Sequence, residues 1–187
     1  EIEYTSVDLN GLHGAHKLDV RYPIREHFAH HKPFNIITNT GYSEHIGEGD
    51  IEENFLANQY SIFKNFHEVG SVGTVYWNFV PAKRMWRRHG VASYETSFFD
   101  ALIEKNNYTV IVSPLYFQKG SYAKRNMVLS LYSKEHDAEF MSFDEFRMLP
   151  GLQSTFSDYI DICKYTYVFC VSIHSIHCHM TYDELVC

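Results

Sequence analysis

Runs of β-forming residues alternate with stretches of helical periodicity through the middle of this chain, and that alternation limits the fold more than any other feature. Phe34–Thr38 is an apolar run suited to a strand buried on both faces. Glu52–Glu68 follows as a helix, with Phe55, Leu56, Tyr60, Phe63 and His67 at helical spacing. Gly70 and Gly73 break it, and Thr74–Val80 is a strand stopped by Pro81. Tyr94–Asn106 reads as a second helix with Ser93 as its N-cap, then Tyr108–Val112 as a strand ended by Ser113-Pro114. Strands that alternate with helices predict an α/β domain whose sheet is mostly parallel, with helical crossovers.

The flanks add to this plan. Ile2–Val7 reads as a strand ending at Asp8, followed by tight turns at Asn10-Gly11 and Gly14. Lys17–Val20 is short and extended, and Pro23 closes it. Asn126–Ser133 is strand-like and is expected to pair antiparallel with Val110–Phe117, with Gln118–Arg125 as the loop. Tyr165–Ile173 fits either a strand or a helix end. Residues 1–150 read as one domain and 151–187 as a C-terminal extension.

Composition narrows the function classes. With 14 Tyr and 14 Phe in 187 residues, the chain has the material for a packed core. A net charge of -7 argues against loose phosphate-driven binding to nucleic acid, although Lys83–Arg88 is a local basic stretch. No apolar run reaches the ~18 residues of a membrane span. All four cysteines, Cys163, Cys170, Cys178 and Cys187, fall in the last quarter, a distribution that fits a reduced cytoplasmic protein better than a secreted disulfide scaffold. Asn107-Tyr108-Thr109 matches the glycosylation sequon, a short pattern common by chance.

Ligands of open α/β sheets bind beyond the carboxyl ends of the strands. The groups expected there are Asp8, Asp19, Asn39 to His45 and Pro81. A carboxylate at the end of a strand of such a fold can accept hydrogen bonds from ribose hydroxyls, and Asp8, at the end of Ile2–Val7, is a candidate for that role. The competing structural role for Asp8 is to cap the Asn10-Gly11 turn.

Four segments, in order, resemble class I S-adenosylmethionine-dependent methyltransferases. FNIITNTGYSEHI at Phe34–Ile46 resembles the fourth strand of that family and its loop, ending in Glu-His. QYSIFKNFHEVGSVGTVYWNFVP at Gln59–Pro81 resembles the helix, glycine turn and strand that come next. WRRHGVASYETSFF at Trp86–Phe99, then Asn106–Ile111, is similar to the following helix and strand. SVDLNGLHGAHKLDV at Ser6–Val20 resembles the second strand with its ribose acid.

The resemblance covers roughly residues 4–133 and implies a Rossmann-like sheet whose last strand is antiparallel. It places the family's first strand and acid-x-Gly-x-Gly loop ahead of residue 4. It implies S-adenosylmethionine as cofactor, held by Asp8, Leu9, Asp19, Val20, Asn39, Thr40 and Gly41. Glu44 and His45 are the implied catalytic pair, and Trp86, Arg88 and His89 the implied substrate contacts. The expected activity is methyl transfer to an oxygen or nitrogen of a small-molecule or saccharide-like acceptor. A catalytically inactive methyltransferase-like binding or structural module is the alternative. A nicotinamide-dependent oxidoreductase shares only the ribose acid.

His67 reads as a helix-end histidine satisfied by its neighbours. No metal is expected. Cys170, His174, His177, Cys178 and His179 carry suitable atoms, but their spacing matches no standard zinc site. The chain has no Gly-x-Ser-x-Gly, P-loop or HExxH motif.

Overall fold

A computed structural model describes residues 3–83, 86, 89–118, 126–156 and 171–173. In chain order the elements are β1 (Thr5–Asp8), β2 (His16–Lys17), β3 (Phe34–Thr40), α1 (Phe55–Val69), β4 (Gly70–Pro81), β5 (Ala92–Tyr94), α2 (Thr96–Lys105), β6 (Thr109–Gln118), β7 (Asn126–Ser133), α3 (Phe143–Phe146), β8 (Leu152–Ser154) and β9 (Val171–Ile173). The fold is α/β with a mixed sheet. Its four-stranded part has the order β3-β4-β7-β6. β3 and β4 are parallel, and β7 is antiparallel to both β4 and β6, so three strands run one way and β7 lies reversed among them. The expected antiparallel pairing of 110–117 with 126–133 is present, from Val110 opposite Tyr132 to Phe117 opposite Met127.

Two smaller groups flank this sheet. β1 pairs parallel with β2 and antiparallel with β9, and β5 pairs antiparallel with β8. Both described strands of the 151–187 segment thus pair with strands from the earlier part of the chain. The Cys- and His-rich residues Cys170, His174, His177, Cys178 and His179 lie outside the described residues.

Burial follows a period of two along the sheet. Ile37 and Asn39 on β3, Tyr76, Asn78 and Val80 on β4, and Val128, Ser130 and Tyr132 on β7 are buried. Their apolar members share one core with Ile62, Phe63 and Phe66 of α1 and Phe98, Phe99 and Leu102 of α2. Each fully buried phenylalanine there contributes on the order of 1.5–3 kcal/mol. The opposite face carries the exposed side chains of Trp77, Leu115 and Phe117. β3 is therefore not buried on both faces as its apolar run suggests. Ile36 and Thr38 are only half-buried.

Two other expectations are corrected. Ser93 lies in β5, and the N-cap of α2 is Glu95, which makes no side-chain cap. Lys83 holds the Glu95 carboxylate at 2.8 Å, which directs it away from the helix amides. Nor does Ser113-Pro114 end a strand: β6 runs on to Gln118. Its register shifts between Val112 and Leu115, and β6 is an edge, where a missing amide proton is tolerated.

The end of α1 is held by polar groups in a partly buried setting. His67 Nδ1 lies 2.6 Å from Tyr108 Oη and Nε2 lies 2.7 Å from the Ala138 carbonyl. A carbonyl only accepts, so these partners assign the Nε2–H tautomer, with Tyr108 donating to Nδ1. Lys134 donates to the carbonyls of His67 and Gly70, both at 3.2 Å, capping the helix end with positive charge. Burial lowers the His67 pKa, the Ala138 contact opposes this, and Lys134 adds to the lowering.

A depressed histidine favours the neutral native form. Its contribution is therefore present above the unfolded value of about 6.5 and is lost as pH falls through the folded value. His67→Gln is expected to be less stable than wild type at pH 8 by about 1–3 kcal/mol. The gap between the two melting curves should narrow as the pH is lowered to 5. A gap that stays constant with pH would refute the assignment.

Candidate functional site

β3 carries the chain into a tight turn at its carboxyl end, Ser43–His45, and a closed set of buried hydrogen bonds holds that turn. Asn39 donates to Ser43 Oγ at 3.0 Å and to Asn78 Oδ1 at 3.1 Å, while its own oxygen accepts from the Ser43 amide at 3.0 Å. Ser43 Oγ and Tyr94 Oη are 2.7 Å apart, and Tyr94 donates to Gln59 Oε1 at 2.6 Å. Gln59 returns a bond to the Ser43 carbonyl at 2.9 Å. With Tyr94 donating to Gln59, the Ser43 hydroxyl is the donor to Tyr94, and the bonds close in one direction. Such chains strengthen each other in a low dielectric. The network joins β3, α1 and β5.

Glu44 follows inside this frame. Its side chain is 0% exposed, and neither carboxylate oxygen has a hydrogen-bond partner. Burial pushes its pKa up to about 7, against the opposing pull of His45. His45 Nε2 is 3.9 Å and His89 Nε2 4.0 Å from Glu44 Oε1. The two imidazoles meet edge to face with centroids 4.9 Å apart. His45 Nδ1 is hydrogen-bonded to Glu48. Burial lowers the His45 pKa, but the Glu48 bond and the charges of Glu44 and Glu48 outweigh it, so the net shift is upward.

His89 is brought in by Gly90. The Val91 amide donates to the Glu44 carbonyl at 2.7 Å. Gly90 has φ +102°, and a Cβ there would lie 2.7 Å from the Glu44 carbonyl oxygen, so only glycine allows this approach. Trp86 stacks obliquely on His89 at 4.9 Å and donates its indole N–H to the Asn126 carbonyl at 2.9 Å. Arg88 lies outside the described residues.

The structure brings Glu44, His45, His89 and Trp86 together. Asn39 is buried, with its side chain committed to the network, whereas Thr40 is exposed and Gly41 has φ +65°. Asp8 is buried at the end of β1, and its Oδ1 accepts from the Asn10 amide at 2.7 Å, which is the turn-capping role. Leu9 beside it is exposed. Asp19 receives Arg21 Nε at 3.0 Å on each oxygen and Nη2 at 2.7 Å on Oδ2. Burial opposes, but these bonds hold its carboxyl below the usual range. Arg21 also reaches Asp50 at 3.4 Å. Val20 is buried, and its carbonyl accepts from Asn65 at 2.7 Å.

Sequence reasoning covered Ser43 only as part of the Asn39–His45 loop and did not single out Gln59, Tyr94 or Glu48. Gln59 and Tyr94 are 35 residues apart and no local pattern joins them. Glu48 had a signal, standing three residues after His45 in a glycine-flanked loop. Among the described residues, no helix is long and apolar enough to cross a membrane. Comparison with protein-family models, with curated proteins and with solved structures returned no match to this chain.

Tyr94→Phe keeps the ring but removes the hydroxyl between Ser43 and Gln59. Leaving two buried groups short of a partner is expected to cost about 1–3 kcal/mol in a urea titration. A variant as stable as wild type would show that the network does not hold the turn.

Proposed function

We propose that this chain belongs to the class I S-adenosylmethionine-dependent methyltransferases and acts on an oxygen or nitrogen of a small-molecule or saccharide-like acceptor. The observation that carries this reading is the buried Glu44 carboxylate, without a hydrogen-bond partner and beside His45 and His89, directly beyond the carboxyl end of β3. The reversed β7 supports it, because the resemblance implies an antiparallel last strand.

The residues fit the cofactor in part. Asp8 has one oxygen engaged by Asn10, and its Oδ2 has no hydrogen-bond partner among the described residues, so that atom would accept a ribose hydroxyl. Gly41, without a Cβ, would let a ligand approach the turn after β3. The Asp19 carboxylate does not fit the cofactor-holding role that the resemblance implies while Arg21 occupies both its oxygens. When bound, S-adenosylmethionine supplies the methyl carbon, and the chain supplies position. Glu44 or His45 would take a proton from the acceptor atom. Trp86 and His89 would form a wall against the acceptor.

A methyltransferase-like binding or structural module without activity is the second reading, and the closure of Asp19 by Arg21 favours it. Calorimetry of the full-length protein with S-adenosylhomocysteine tests the first. Binding is expected, weakened by about tenfold or more in Asp8→Ala, which corresponds to ~1.4 kcal/mol. Absence of heat with the wild-type protein would reject cofactor binding and leave the module reading.

A further inference from the structure

We propose that Glu44, His45 and His89 form a binding site for a divalent transition-metal ion of the zinc type. One ligand atom from each, Glu44 Oε1 and the two histidine nitrogens, lies within 4.8 Å of the others. The separations from Glu44 Oε1 are 3.9 Å to His45 Nε2 and 4.0 Å to His89 Nε2. Ligands about 2.1 Å from a tetrahedral zinc ion stand roughly 3.4 Å apart. Closing the two Glu44–histidine separations around an ion therefore needs about half an ångström each, and the two histidine nitrogens, within 4.8 Å of each other, need to approach by about 1.4 Å at most.

Two further observations point to an ion. Glu44 is completely buried, yet both of its carboxylate oxygens have no hydrogen-bond partner. A cation with imidazole co-ligands would supply that missing partner. The other is Glu48, bonded to the far nitrogen of His45. A carboxylate on Nδ1 fixes the ring with Nε2 toward the centre, the arrangement that supports metal-binding histidines. Gly90 and the Val91–Glu44 backbone bond hold the third ligand segment in place.

Two histidines and one carboxylate leave an open coordination position, as in catalytic rather than structural zinc sites. An acceptor hydroxyl at that position would lose its proton more readily. The metal site stands whether or not the chain transfers methyl groups, and its test reads the metal alone. The chain has 12 histidines, so adventitious binding must be separated from the site. The exposed His16–His27 pair, with nitrogens 2.9 Å apart, is the natural control.

Purified full-length protein is titrated with Zn²⁺ by calorimetry and with Co²⁺ by visible absorption. One ion per chain is expected, with the intense ligand-field bands of a four-coordinate Co²⁺ site. Affinity should fall by roughly 10–100-fold in Glu48→Gln, the change typical of a lost supporting contact, and further in His89→Ala. It should be unchanged in His16→Ala/His27→Ala. Circular dichroism checks that each variant folds, and the wild-type Co²⁺ spectrum decides the case without any variant. No binding, or octahedral Co²⁺ only, or binding abolished in His16→Ala/His27→Ala and intact in His89→Ala, would overturn the proposal.

Discussion

Everything at the carboxyl end of β3 depends on the hydrogen bonds that run from Asn39 through Ser43 and Tyr94 to Gln59 and back to Ser43. These groups are buried, and buried polar groups are tolerated only when satisfied. Here the acceptors and donors close on one another. That closure is what sets the Ser43–His45 turn at one geometry and carries Glu44 into the interior. The aromatic core of α1 and α2 supplies the bulk of the burial and takes in Tyr42 and Ile46 on either side of the turn, but apolar contact has no direction. The polar ring is directional, and so it specifies that path.

The Glu44 carboxylate is the conspicuous cost. A buried carboxyl without hydrogen bonds disfavours its own charged form, which is why its pKa rises to about 7. Core packing offers no reason to keep an acid there, since an apolar residue of similar size would avoid the penalty. A surround of two imidazoles, with a second acid behind one of them, is a chemical setting rather than a packing solution. The proposed proton transfer and the proposed metal coordination would both use that setting, and both would need the carboxylate where the ring of hydrogen bonds puts it.

The elements were legible in the sequence because they rest on local pattern. The strand at Phe34, the helix before Gly70 and the hairpin of β6 with β7 follow from periodicity and turn residues. The failures are also local in cause. Ser93 has the chemistry of an N-cap, but β5 pairing with β8 claims its backbone. Pro114 has the look of a strand terminator, but an edge strand with shifted register absorbs it. Of the site, Glu44, His45 and His89 are the residues that the family resemblance picks out in their loops. Tyr94 and Gln59 could not, because each looks like an ordinary helix or strand residue until the fold brings them together. Asp19 shows the opposite limit: its partner Arg21 is two residues away, and their ion pair engages the carboxylate that the resemblance assigns to the cofactor.

A preformed buried network, not a ligand, sets the turn that carries Glu44. Side-chain amide hydrogen exchange of Asn39 and Gln59, followed by NMR on the ligand-free protein, tests this most directly. Both carboxamides should be strongly protected, exchanging as slowly as the backbone amides of Ser43 and Val91, through openings of the surrounding core. Exchange at the rate of an exposed carboxamide, with protection appearing only after a ligand or metal is added, would show that the network is not preformed.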